Sequence, residues 1–352
     1  MFVTGLGTAV PPNRYTQREC YDALQASHLF ETLQPRSRAL VRKVLLGDNS
    51  IHTRHLALAA IDEGFALSPN ALHARFTHHA PALATQAAAR ALADAGCTAG
   101  DIDALIISTC TGYLCPGLTS YVAERLGLRA DVLTLDLVGQ GCGAAVPNWR
   151  MADALLAGRG AGRVLSVCVE VCSAAVYFDD DPGVLISACL FGDGAGAAVL
   201  AQAPASHTRR VEWVTAVSVL KPEHRDRLRF EQRDGMLRNV LSLQVPALAA
   251  QAVEEILKQA LVQAPVSREE ICGWILHAGG RDVLNALRLK LSLTPADLRW
   301  SAEVLRDCGN MSSPSVYFTL QNALAAATPA GWWWFCSFGA GFSCHGALLR
   351  VE

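Results

Sequence analysis

Apolar positions along the chain switch between two periods, and the switches come in the same order twice. Residues 87–109, AAARALADAGCTAGDIDALIIST, read as an alanine-rich helix, a turn and an apolar strand. Residues 251–280, QAVEEILKQALVQAPVSREEICGWILHAGG, repeat that series and superpose Ser108 on His277 at the strand ends. Further on, GQGCGAAVPNWRMADALLA matches DCGNMSSPSVYFTLQNALAA as a glycine turn, one functional residue and a helix. That match superposes Cys142 on Asn310. Each series closes on a glycine-rich turn and a strand, LFGDGAGAAVLA and SFGAGFSCHGALLR. Alternating helices and strands predict an α/β fold with helices covering sheets. The duplication predicts two halves, residues 1–205 with the cysteine and 206–352 with the histidine and asparagine. Pro, Ser and charge at Ala203 to Arg210 mark the linker between them.

Composition narrows the function. With 51% hydrophobic and 18% charged residues, the 352-residue chain readily fills a large core. A net charge of −2 gives no electrostatic case for nucleic acid. No apolar run reaches the roughly 18 residues of a membrane helix. The start, MFVTGLGTAVPPNRY, lacks the basic segment and long apolar stretch of a secretory signal. Twelve cysteines in such a chain read as reduced thiols, so the cytoplasm is expected. No Cys-x-x-Cys pair occurs, and Cys110…Cys115 and Cys168…Cys172 lack matching partners. His73, His78 and His79 fall outside any His-Glu-x-x-His frame, so no metal is expected.

Three residues carry candidate chemistry. Cys142 follows an apolar strand at a Gly-Gln-Gly turn and precedes a helix of small residues. At a helix N-terminus the dipole favours thiolate, and flanking glycines let a substrate approach the sulfur. An isolated Gly-Cys-Gly is equally the pattern of a buried structural cysteine. His277 ends an apolar strand, where α/β folds bind ligands, although a structural histidine ends strands too. Asn310 sits at a glycine turn, a place where asparagine is ordinarily a turn residue or cap. The duplication brings the three together. A thiolate near an imidazolium accepts an acyl group, while His277 Nε2–H and the Asn310 amide donate to a thioester carbonyl. The donors stabilise the enolate left when malonate loses CO₂.

VGQGCGAAVPNW, WILHAGG, CGNMSSPSVYFTL, LFGDGAGAAVL and SFGAGF together resemble the motif set of type III polyketide synthases, the chalcone synthase superfamily. The resemblance runs over nearly the whole chain. It implies a thiolase-like fold of two pseudo-symmetric halves in five αβαβα layers, acting as a homodimer. It implies Cys142 as nucleophile, with His277 and Asn310 completing the triad, and Phe191 as gatekeeper. Where a second gatekeeper phenylalanine is expected, Leu243 or Leu241 stands instead. The family's GFGPG loop reads Ser337-Phe338-Gly339-Ala340-Gly341, and Gly339 and Gly341 imply a retained role in shaping the cavity. Cys110, Thr111, Cys172, Ala175, Ser187 and Ser312 are the implied pocket wall. Cys115 lies in the Tyr113–Gly117 loop that reaches towards a partner subunit in the family. Among Arg36, Arg38, Arg42, Lys43 and Arg54, the implied contacts for CoA phosphates are Arg42, Lys43 and Arg54. Substrates are then an acyl-CoA starter and malonyl-CoA, with no other cofactor. Small wall residues favour a medium or long fatty acyl starter and an alkylpyrone or alkylresorcinol product.

Other readings separate on the same residues. A β-ketoacyl-acyl carrier protein synthase III stops after one condensation, and WILHAGGRD and GNMSS do not match its usual motifs. A hydroxymethylglutaryl-CoA synthase needs a glutamate beside the cysteine, and neither Glu124 nor Glu170 has the expected context. A non-catalytic thiolase-fold subunit would have lost the nucleophile.

Overall fold

The structure, a computed structural model, describes residues 1–158, 162–205, 209–326 and 328–352. Its strands are β1 (Phe2–Ala9), β2 (Arg14–Thr16), β3 (Thr53–His55), β4 (Ala104–Ser108), β5 (Leu133–Leu137), β6 (Arg163–Glu170) and β7 (Gly194–Ala201). There follow β8 (Val211–Leu220), β9 (Leu228–Arg233), β10 (Met236–Leu241), β11 (Ile271–Leu276), β12 (Gly331–Gly339) and β13 (Ser343–Val351). The α-helices of the first half are α1 (Gln17–Ala26), α2 (His28–Thr32), α3 (Pro35–Leu46), α4 (Pro69–Ala95), α5 (Leu118–Leu126), α6 (Ala145–Ala157) and α7 (Pro182–Leu190). The second half adds α8 (Val245–Gln263), α9 (Arg281–Lys290), α10 (Arg299–Cys308) and α11 (Ser315–Ala325).

Nine strands join in the order β11-β12-β13-β8-β1-β7-β6-β4-β5, and this order is a repeat read outwards from its middle. β1, β7, β6 and β4 correspond to β8, β13, β12 and β11. Each set has one parallel pair, β4 with β6 and β11 with β12, and antiparallel pairing elsewhere. At the seam only Phe2 with Glu212 and Val3 with Val211 pair between β1 and β8. The boundary expected at 205/206 falls between β7 and β8, and residues 206–208 lie outside the described residues.

Each predicted helix–turn–strand unit appears. α4 ends at Gly96, whose φ of 62° is a left-handed conformation that glycine adopts without penalty, and β4 follows. Residues of α4 and α5 pack on one face of the β1-β7-β6-β4-β5 part of the sheet, and α8 and α9 cover the outer face of the β8-β13-β12-β11 part. Between the two parts lie α6 and α11. Trp149 of α6 stacks on Phe335 of β12, centroids 4.7 Å apart, and its Nε1–H donates to Tyr317 Oη of α11 at 3.0 Å. Burying such aromatic surface and pairing its polar tip fixes the middle layer. The layers are therefore α, β, α, β and α, a thiolase-like fold. The C-terminal ends of β4, β6, β11 and β12 all open towards one region, where the candidate residues lie.

Candidate active site

After β5, the backbone turns through Gly139 (φ 82°) and Gly141 (φ 54°), conformations suited to glycine, into a single 3₁₀ turn, Gly141–Gly143. That turn holds Cys142 ahead of α6. The SFGAG loop packs directly behind it: a Cβ on Gly339 would lie 2.5 Å from Gly143 N and 2.9 Å from Cys142 N. Gly339 is thus a close-approach position rather than cavity wall, and Ala340 is the loop residue that faces the cavity.

Cys142, His277 and Asn310 are linked through serines of the α11 entry turn. Ser312 Oγ–H donates to Cys142 Sγ at 3.1 Å, from a residue held at φ 59°. Ser312 N–H donates to Asn310 Oδ1 at 2.8 Å, so the opposite end of that amide is Nδ2. Nδ2 donates one hydrogen to Gly279 O at 3.0 Å, leaving the other for a substrate. His277, buried after β11, has Nδ1 2.7 Å from Ser315 Oγ. Phe338 meets its ring edge-on at 5.1 Å.

Ser315 determines what His277 can do. Its Oγ lies 2.9 Å from Ser312 O as well as 2.7 Å from the imidazole, and it has one hydrogen. Donating to Nδ1 leaves Nε2–H as a donor to a carbonyl. Donating to Ser312 O and accepting Nδ1–H leaves Nε2 free to accept a proton. Both tautomers, and the imidazolium, are accommodated.

Burial works against the expected thiolate. Burial outweighs the helix terminus and pushes the Cys142 thiol up to about 12, with the Ser312 hydrogen bond opposing and Glu170 reinforcing the shift. Burial alone pushes the His277 imidazole down to about 4. In both groups burial favours the neutral form.

Glu170, at the end of β6, is closer to this chemistry than its motif context foretold. Its carboxyl accepts from Cys110 N–H at 3.0 Å, Thr111 Oγ–H at 3.0 Å and Ser313 Oγ–H at 2.7 Å, and lies 3.4 Å from Ser312 Oγ, an alternative acceptor for the hydrogen given to Cys142 Sγ. Burial raises its pKa and these donors lower it. It ties the loop after β4 to the turn that carries Ser312.

A cavity of about 1210 Å³, open mouth included, runs past Cys142. Cys110, Thr111, Cys172, Ala175, Ser187, Phe191 and Ser312 line it. His277 and Asn310, both buried, adjoin this lining through Ser315 and Ser312. Phe191 is also bridged by backbone to Asn310, with Gly192 N–H donating to Asn310 O at 2.9 Å.

Three assignments need correcting. Leu243 is 85% exposed beyond the end of β10, and Leu241 is not on the wall either. Instead Phe230 and Leu228 of β9 face the cavity. The signal for them was the Asp234-Gly235 turn between alternating segments, both turn residues having positive φ. Arg54 is 5% exposed, and its Nη1 donates to Ala188 O and Phe191 O at 2.8 and 2.9 Å. It clips the end of α7 and is turned away from solvent phosphates. Cys115 is exposed and lies off this cavity. Arg42 and Lys43 are exposed on α3.

Comparison with known proteins gives a consistent result. Residues 25–263 match the family described as FAE1/type III polyketide synthase-like protein, and residues 212–351 match the chalcone and stilbene synthase C-terminal domain. The chain is 32% identical to the 1,3,6,8-tetrahydroxynaphthalene synthase of Streptomyces peucetius subsp. caesius, over 99% of this chain and 92% of that protein. It is 28% identical to the 3,5-dihydroxyphenylacetyl-CoA synthase of Streptomyces toyocaensis, over 99% and 89%. The structure superposes on the C-terminal type III polyketide synthase domain of Steely1 from Dictyostelium with a TM-score of 0.91, at 24% identity, covering 99% of each chain. With its cysteine, histidine and asparagine gathered around one serine-rich turn, the chain belongs to the type III polyketide synthase family.

Proposed function

We propose that this enzyme extends a medium or long fatty acyl-CoA with malonyl units and releases an alkylpyrone or alkylresorcinol. The observation that carries the proposal is the apolar far wall of the cavity, where Leu24 of α1, Leu45 of α3, and Leu58, Ile61 and Phe65 stand. Each buried methylene of a starter contributes about 0.8 kcal/mol.

In this reading Cys142 Sγ attacks the starter thioester as its proton passes to His277 Nε2, and CoA leaves as the thiol. Malonyl-CoA then loses CO₂. The electron pair of the broken carbon–carbon bond becomes an enolate held by His277 Nε2–H and the free Asn310 amide hydrogen. The enolate carbon attacks the Cys142 thioester carbonyl and expels the Cys142 sulfur as thiolate. The chain, two carbons longer and now on CoA, returns to Cys142 when that thiolate attacks its thioester and CoA leaves, taking a proton. Arg42 and Lys43, on the helix that contributes Leu45, are the assigned contacts for CoA phosphates. No helix among the described residues is long and apolar enough to cross a membrane.

The test is product analysis with acyl-CoAs of two to twelve carbons, coumaroyl-CoA and malonyl-CoA alone. kcat/KM is expected to rise with chain length, and Cys172→Phe is expected to shorten the accepted starter while acetyl loading persists. A steady fall with length, with malonyl-CoA alone preferred, would instead favour a compact cavity for a malonyl-primed product, the naphthalene chemistry named for the Streptomyces peucetius relative.

The working form is proposed to be a homodimer. β5 is a sheet edge with Leu133 outward, and Tyr113 and Val138 are exposed nearby, Tyr113 by 72%. Unpaired edges beside apolar side chains need a cover. Light scattering at micromolar concentration is expected to give twice 37.6 kDa; an active 37.6 kDa species would refute the dimer.

A further inference from the structure

One polar side chain on the cavity wall has no role in the chemistry above. Asn239 of β10 is 8% exposed, its Oδ1 is buried without a partner, and no other described group hydrogen-bonds its amide. The other polar wall residues are differently placed. Thr111 is bound to Glu170, Ser173 to Asp193, Tyr177 to Asp234, Ser187 to Gly183 O, and Arg229 to Asp226 and Glu231. Arg54, though clipped to α7 through Nη1, leaves Nε unmatched. Asn239 also stands opposite Phe230 in the hairpin register. Its position is fixed from behind. The preceding residue, Arg238, binds Asp179, Asp181 and Glu231 at 2.8, 3.1 and 3.1 Å, and successive strand residues face opposite sides.

A buried amide without partners is costly in the empty protein and becomes favourable when a bound molecule supplies the missing bond. An alkyl chain cannot supply it. A β-polyketone can, because it carries an oxygen on alternate carbons: Nδ2–H donates to a ketone, and Oδ1 accepts from its enol. We propose that Asn239 is a hydrogen-bonding subsite for the oxygenated part of the growing chain, separate from the apolar wall that holds the starter. This rests on the synthase reading. It makes Asn239 a determinant of how far extension proceeds, because only a chain that has been extended places an oxygen there.

Asn239→Leu keeps the side-chain size and removes both hydrogen-bonding ends. Hexanoyl-CoA and malonyl-CoA are supplied to the purified full chain, and products, including malonyl-primed ones, are resolved by mass spectrometry. Acylation of Cys142, read by intact mass, shows that the fold and nucleophile are in place. The ratio of products with two or more extensions to those with one is expected to fall roughly tenfold in the variant. If Asn239→Leu does not fold, Asn239→Ala carries the same expectation with a fall of about threefold or more. An unchanged ratio in an acylated variant would overturn the subsite alone. Absence of any malonyl-derived product from the unmodified enzyme would overturn the synthase reading and the subsite with it.

Discussion

Cys142→Ala is expected to abolish acyl-enzyme formation and lower net product by roughly 10⁴-fold or more, as loss of a nucleophile typically does. Slow decarboxylation of malonyl-CoA should survive, because the enolate donors are on other residues. His277 keeps its Ser315 contact and Asn310 keeps Ser312 N–H and Gly279 O. The substitution removes the one acceptor that Ser312 Oγ finds on Cys142, but Glu170 Oε1 lies 3.4 Å from that hydroxyl as an alternative. Local disturbance should therefore be small. Intact-mass measurement after incubation with acyl-CoA decides the matter, and an acyl adduct persisting on the variant would refute the assignment.

Asn310→Ala is expected to act on the other half-reaction. Removing one donor to a developing oxyanion typically costs about 10²–10³ in rate, so CO₂ release should fall by that factor while loading stays within about tenfold. The truncation also strips Ser312 N–H and Gly279 O of partners, so Asn310→Asp is the companion variant. It retains an acceptor for Ser312 N–H and substitutes a carboxyl for the amide donor. Rapid-quench acylation and CO₂ release measured separately distinguish the cases. Collapse of loading with normal decarboxylation would reverse the proposed roles.

The sequence singled out Cys142, His277 and Asn310 because each sits at a glycine turn, the first two after an apolar run, and because the chain repeats that arrangement. Strand ends and turns are local features. The failures were non-local. A glycine-flanked cysteine before a helix signals a stabilised thiolate, but the burial that raises its pKa comes from elements distant in sequence. Arg54 looked like one more basic residue of a charged segment. Only the short pairing of β3 with β2, Arg54 opposite Tyr15, turns it towards the carbonyls of α7. Leu243 was placed by counting along a motif, whereas the Asp234-Gly235 hairpin ends its pairing at Leu241 and leaves Leu243 in solvent. Ser315 had no visible signal, since a serine at a helix start is ordinarily a cap.

The cavity wall and the groups that handle protons also have two kinds of mutational freedom. Most of the cavity wall comes from residues before β8 and from the β9–β10 hairpin, while His277, Asn310 and Ser315 all come from β11 onwards. Substitutions that enlarge, block or re-line the cavity therefore leave the proton-handling groups in their own packed layer. A lineage can drift across starters and chain lengths through the wall residues while Cys142, His277 and Asn310 keep the bond-forming step constant.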